Sequence, residues 1–156
     1  MGEKKYYSKS EVLIKAANYC AYQERCHQEV LAKLAELGVY GMDADMMLLK
    51  LIEDNYVNEE RFAKAFAGGK FRVKQWGRLR IKRELKMRGI SDYCIEEALK
   101  EIDEMDYINT LKKCVAVKYK SVKAINDLQR KHKTVQYLLT RGFESDLIWK
   151  CLNDKD

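Results

Sequence analysis

Two stretches of this 156-residue chain concentrate cations beyond what solubility requires. Lys70 to Arg88 holds nine Lys or Arg residues against one acid, Glu84, for a local charge of +8. Lys112 to Lys133 holds eight against one, Asp127, for +7. The whole chain carries only +6, so the remainder is strongly acidic, at −9. Charge segregated in this way raises the local concentration of polyanions, and rows of Lys and Arg neutralise phosphates. The candidate nucleic-acid contacts in the first stretch are Arg72, Lys74, Arg78, Lys82, Arg83 and Lys86. In the second they are Lys118, Lys120, Lys123, Arg130, Lys131 and Lys133. Arg80 and Arg88 lie nearer the apolar stripe of their helix, and their stems are expected to cover core edges.

Other chemistry is thinly supported. His27 and His132 are far apart and neither has a metal-spaced partner, so both read as helix-surface residues. No phosphate-binding loop, dinucleotide fingerprint or nucleophile elbow occurs. The carboxylates from Asp92 to Asp106 fall in helix-periodic runs, the pattern of a solvated acidic face. Cys20, Cys26, Cys94, Cys114 and Cys151 are odd in number with no C-x-x-C spacing. Reduced thiols in a cytoplasmic protein are expected rather than disulfides or zinc. The sequence therefore predicts no enzyme, no cofactor and no metal. The N-terminus lacks the apolar run of a signal peptide, and Lys50 cuts the longest apolar cluster, Met46 to Leu49, so no membrane span is expected.

Helices must carry the two basic stretches. Proline is absent, Gly numbers only eight and charged residues make up 35%, which disfavours turn-rich β architectures. An internal repeat gives the organisation. Leu34-Ala-Glu-Leu-Gly38-Val39, Leu85-Lys-Met-Arg-Gly89-Ile90 and Leu138-Leu-Thr-Arg-Gly142-Phe143 each place a Leu four residues before a Gly and an apolar residue after it. That is the chemistry of a helix C-terminus, where Gly takes the left-handed conformation and the next residue folds back on the last turn. Apolar positions then recur at equal offsets: Cys94, Ile95, Ala98 and Leu99 after Gly89, and Leu147, Ile148, Cys151 and Leu152 after Gly142. After Gly38 the register returns at Met46, Met47 and Leu51 if three residues are inserted.

The pattern predicts an all-α fold of three tandem three-helix repeats, 8–56, 57–103 and 104–154, in an elongated, curved array. Helices are expected at 9–22, 26–37, 44–55, 58–75, 77–88, 92–103, 104–120, 123–141 and 145–153. Ser8, Asp43, Asn58 and Ser91 are the expected N-caps. Phe62, Ala65, Phe66, Gly69, Val73 and Trp76 form the expected core stripe of the fourth helix, and Ile81 and Leu85 that of the fifth. Lys82, Arg83 and Lys86 then project from the opposite side of that fifth helix, with Arg78 flanking them.

Three segments resemble the signature of the RecX family. They are Tyr56-Val-Asn58-Glu59-Glu60-Arg61-Phe62-Ala63, Trp76-Gly77-Arg78-Leu79-Arg80-Ile81 and Glu84-Leu85-Lys-Met-Arg88-Gly89-Ile90-Ser91. Arg25 to Val30 with Lys33-Leu34 is similar to the family's first module, and Tyr137 to Phe143 to its third. Asn58-Glu59-Glu60 departs from the family's acidic Asp pair, and Cys26 stands where a Ser would cap. The resemblance implies a non-enzymatic cytoplasmic regulator that docks as a monomer in the groove of the RecA–single-stranded DNA filament. There it would limit filament growth, strand exchange, ATP hydrolysis and repressor cleavage in the SOS response. Two other readings stay open: a free-standing nucleic-acid-binding module, and a helical scaffold for a protein partner with merely solvated basic faces.

Overall fold

The structure is a computed structural model that describes residues 6–154. Among these residues it contains nine helices and no strand. They are α1 (Lys9–Tyr22), α2 (His27–Glu36), α3 (Gly41–Glu53), α4 (Glu59–Lys74), α5 (Arg78–Met87), α6 (Asp92–Lys100), α7 (Glu104–Ser121), α8 (Asp127–Thr140) and α9 (Ser145–Asn153).

Short polar side chains start most of them. Ser8, Asn58, Ser91, Asp103 and Asn126 each accept a hydrogen bond from the amide three residues on, at 2.8–3.3 Å. At Cys26 the weakly accepting sulfur faces the Glu29 amide, and the Glu29 carboxylate accepts in return from the Cys26 amide at 3.2 Å. The three repeat glycines have φ of +90°, +76° and +96° at Gly38, Gly89 and Gly142. After each, the amide of Val39, Ile90 or Phe143 bonds back to the carbonyl of Leu34, Leu85 or Leu138, at 2.8–3.1 Å. All three leucines are fully buried. One local device, written three times, thus stops the middle helix of each triplet and pins its end to the core.

Several expectations need correction. α3 starts at Gly41 rather than at 44, and Tyr40 rather than Asp43 precedes it. Ala44 is the buried residue there, six positions after Gly38, as Ile95 and Ile148 are after Gly89 and Gly142. The repeat register therefore needs no insertion. α8 begins at Asp127 rather than 123, because Asn126 caps it. α4 is rolled by roughly a third of a turn at 100° per residue. Its buried residues are Phe62, Ala63, Ala67 and Phe71, whereas Ala65 is exposed and Val73 is 78% exposed. Phe66 and Trp76 pack only at the core's edge. The small Ala63 and Ala67 let α4 approach α6, its main packing partner. The expected stripe of α5 is present: Ile81, Leu85 and the following Ile90 are buried.

Two cores support the array. One lies within the first triplet, around Val12, Ala16, Val30, Leu34 and Leu51. The other runs without a break through the second and third triplets, from Phe62 through Tyr107 to Leu152, and takes in Cys26 from the first. The exposed area of 10298 Å² exceeds the roughly 8100 Å² expected of a compact monomer of this mass, so the array is extended.

Candidate nucleic-acid interface

The twelve candidate cations separate into two groups. Lys82 and Arg83 stand exposed on the outer side of α5, opposite buried Ile81 and Leu85. Lys86 stands with them, and its contact to Asp92 at 3.6 Å joins two side chains more than half exposed, worth little in water. Arg72 and Lys74 are exposed in the last turn of α4. In the third triplet Lys120 and Lys123 are exposed, and Lys118 lies 4.2 Å above the Tyr137 ring. Among the described residues, Arg72, Lys74, Lys82, Arg83, Lys118, Lys120 and Lys123 form no ion pair.

The others are engaged within the chain. Arg78 meets Glu144 at 2.8 Å and Glu104 at 2.9 Å, and its guanidinium covers Tyr107 at 3.9 Å. Arg130 donates to the carbonyls of Tyr119 and Val122 at 2.7 Å each, satisfying the end of α7. Lys131 pairs with Asp127 at 3.5 Å, and Lys133 donates to the Lys123 carbonyl at 2.8 Å. Arg80 lies over Trp76 at 4.1 Å and Arg88 over Phe66 at 4.7 Å, both covering core edges as expected.

Folding also gathers two cations outside the candidate set. A groove of about 290 Å³ between α7, α8 and the end of α4 is lined by Gln75, Lys113, Lys118, Tyr137 and Arg141. No carboxylate lines it. Arg141 also donates to the Lys74 carbonyl, which brings the end of α4 to the same place. Lys113 lay within the second basic stretch, and Arg141 within the repeat motif itself. Arg141 reaches the end of α4 through a contact 67 residues apart in sequence, which no local pattern encodes. An aromatic ring among cations in a carboxylate-free groove can take both a base and its phosphates.

A tight joint holds the two basic regions in fixed relation. The amides of Gly77 and Leu79, at the start of α5, donate to the carbonyls of Arg141 and Gly142, just past α8, at 2.8 and 3.0 Å. Orphan donors of one helix thus meet orphan acceptors of another. Beside them the buried Tyr107 hydroxyl donates to Glu144 and accepts from the Arg78 amide at 3.0 Å. Burial, then the bond to Glu144, pushes the Tyr107 pKa far above its ordinary value of 10.0. A free tyrosine ionises near pH 10, so this group's contribution is complete below that pH and is lost as pH climbs through the higher folded value. Urea midpoints measured from about pH 8 to pH 11 should fall less steeply in Tyr107→Phe than in the parent. Equal alkaline slopes would contradict the assignment.

The first triplet differs in charge. Residues 8–56 hold five Lys or Arg against eight Asp or Glu. Residues 57–103 hold twelve against eight, and 104–154 ten against six. An acidic head therefore precedes a basic body, net −3 against +4 and +4. Among the described residues no group of three His, Cys, Asp or Glu side chains could hold a metal ion, and no helix is long and apolar enough to cross a membrane.

Comparison with known proteins agrees with this architecture. Residues 58–99 match the second three-helix domain of RecX, and residues 105–152 match its third. The regulatory protein RecX of Bacillus cytotoxicus is 28% identical over 141 residues, covering 90% of this chain and 52% of the relative. That of Lactobacillus johnsonii is 29% identical over 144 residues, covering 92% and 53%. The chain thus spans about half the length of the curated relatives it matches. The crystal structure of RecX from Lactobacillus salivarius superposes with a TM-score of 0.81 at 25% identity, over 94% of this chain and 95% of that one. With two successive three-helix domains matched and the whole array superposed on a solved relative, this chain belongs to the RecX family.

Proposed function

We propose that the chain is a cytoplasmic regulator that binds the filament formed by RecA recombinase on single-stranded DNA and restrains it. It would limit filament growth, strand exchange, ATP hydrolysis and repressor cleavage. It acts by occupying a surface, as a monomer, with no cofactor and no chemistry of its own. One observation supports the reading: seven cations with no ion pair among the described residues stand on the two triplets that share a single core, and one of them, Lys118, lines a groove with Lys113 and Arg141. A rigid, extended basic body suits a target whose phosphates recur at regular intervals along a protein-coated strand. The acidic first triplet opposes indiscriminate binding to bare DNA and favours the composite target.

Replacing Lys82, Arg83, Lys118 and Lys120 together by Ala should weaken filament binding. It should also flatten the dependence of log K on log salt, by roughly 0.7 for each phosphate contact removed on a single strand. Fluorescence anisotropy across a salt series reads both effects, and an unchanged slope would show that these residues touch no phosphate. The recombinase ATPase on single-stranded DNA should fall on addition of the parent chain. The aromatic, cationic groove also supports a second reading, a free-standing single-strand binder. Equal affinity for bare and recombinase-coated DNA would favour it.

A further inference from the structure

α3 carries apolar side chains on both sides, which is unusual for a surface helix. Its inner side buries Ala44 and Leu51, with Met47 and Leu48 partly covered. Its outer side presents Met42, Met46 and Leu49, which are 80%, 62% and 53% exposed. Successive spacings of four and three residues place the three in one stripe.

The other triplets act as internal controls. Counted from the repeat glycine, Met42, Met46 and Leu49 occupy the positions of Tyr93, Glu97 and Lys100 in α6 and of Asp146, Lys150 and Asn153 in α9. Five of those six are polar or charged without an aromatic ring, and Glu97 and Lys100 pair with each other at 3.0 Å. The fold therefore does not demand apolar residues there. Only the first triplet has them, and it is the acidic one. Asp45 borders the stripe on one side and Glu53 continues its line; on the other side Lys50, paired with Asp54 at 3.3 Å, and Asp43, facing Lys9 at 3.8 Å, offset each other. Carboxylates in that arrangement repel phosphates but complement lysines and arginines around an apolar patch. Partly exposed methionines adapt to such a patch more readily than branched side chains do.

We propose that the outer side of α3 is a protein-docking face. Its occupant is an apolar surface rimmed by basic residues, on the recombinase subunits of the filament. The assignment rests on the filament reading above and divides the labour: the basic body meets the strand, and the acidic head grips the protein that coats it.

The test uses the full chain and recombinase filaments assembled on a single-stranded oligonucleotide, compared with the bare oligonucleotide. Combined Met42→Ser, Met46→Ser and Leu49→Ser should lower filament affinity about tenfold or more, the scale of losing several central apolar contacts. Affinity for bare DNA and the salt slope should not move. A second variant, Asp45→Lys with Glu53→Lys, should also weaken filament binding if the partner's rim is basic; it checks the face without removing apolar surface. Parent-like filament binding by both variants would overturn the docking face and leave the filament reading standing. An equal loss on bare DNA would also overturn it, because α3 would then touch the strand. So would a dimer of the parent in sedimentation that the triple variant abolishes, since the face would then join copies of this chain. If the parent itself ignores the filament, the filament reading falls first, and this assignment with it.

Discussion

Gly142→Ala is expected to destabilise the second and third triplets together by about 3 kcal/mol or more. A Cβ at this position would lie 2.3 Å from the Cβ of Arg80 and 2.6 Å from its backbone nitrogen, and neither is a flexible side-chain end. The residue also sits at φ +96°, where any L side chain is strained by about 1–2 kcal/mol. Overpacking adds about 1–3 kcal/mol more. Gly77→Ala tests the same approach from the other side. Its Cβ would stand 2.3 Å from the carbonyl carbon and oxygen of Gly142, with no left-handed conformation involved. Gly38→Ala is the control, since Gly38 has φ +90° but nothing within 4 Å of the added carbon. It should cost only the conformational part, about 1–2 kcal/mol. Urea unfolding followed by circular dichroism separates the three. Equal losses at Gly38 and Gly142 would mean that the joint relaxes freely.

The second large effect is expected at Arg78. Arg78→Ala leaves Glu144 and Glu104 without their shared cation and uncovers the Tyr107 ring. Breaking a partly buried, hydrogen-bonded charge cluster of this kind costs about 2–3 kcal/mol. The figure is reduced from the fully buried case because the side chain is 26% exposed. For a chain of this size that corresponds to a melting temperature about 5–8 °C lower. The salt slope of filament binding should stay as in the parent. Lys82→Ala should do the reverse, with unchanged melting and a shallower slope. A variant at Arg78 that keeps its stability but loses salt dependence would return this residue to the set of phosphate contacts.

The all-helical triplet architecture was legible because its signals are local. The second and third repeat glycines lie within ten residues of the Leu they pin and of the stripe they introduce, and the caps at Ser8, Asn58 and Ser91 span three residues each. The roll of α4 was not. Phe66 and Val73 outweigh Ala63 and Ala67 in any reckoning by hydrophobicity, yet closeness to α6 favours the smaller side chains. In α3 the bulk of Met46 likewise drew the expected register away from Ala44. Charge density located both basic stretches but could not tell a free cation from an engaged one. The partners of Arg78 are 26 and 66 residues away, and those of Arg130 are backbone carbonyls, which leave no mark in composition.

The seam at Gly77 and Gly142 is made of peptide groups that meet because neither residue carries a Cβ. Side chains elsewhere on the body can therefore drift in identity without altering the distance from one cluster of ammonium and guanidinium groups to the next. The chain behaves as a ruler whose graduations are interchangeable while its length is set by the main chain. Such an instrument is suited to gauging a polymer with a constant step, and badly suited to reading letters.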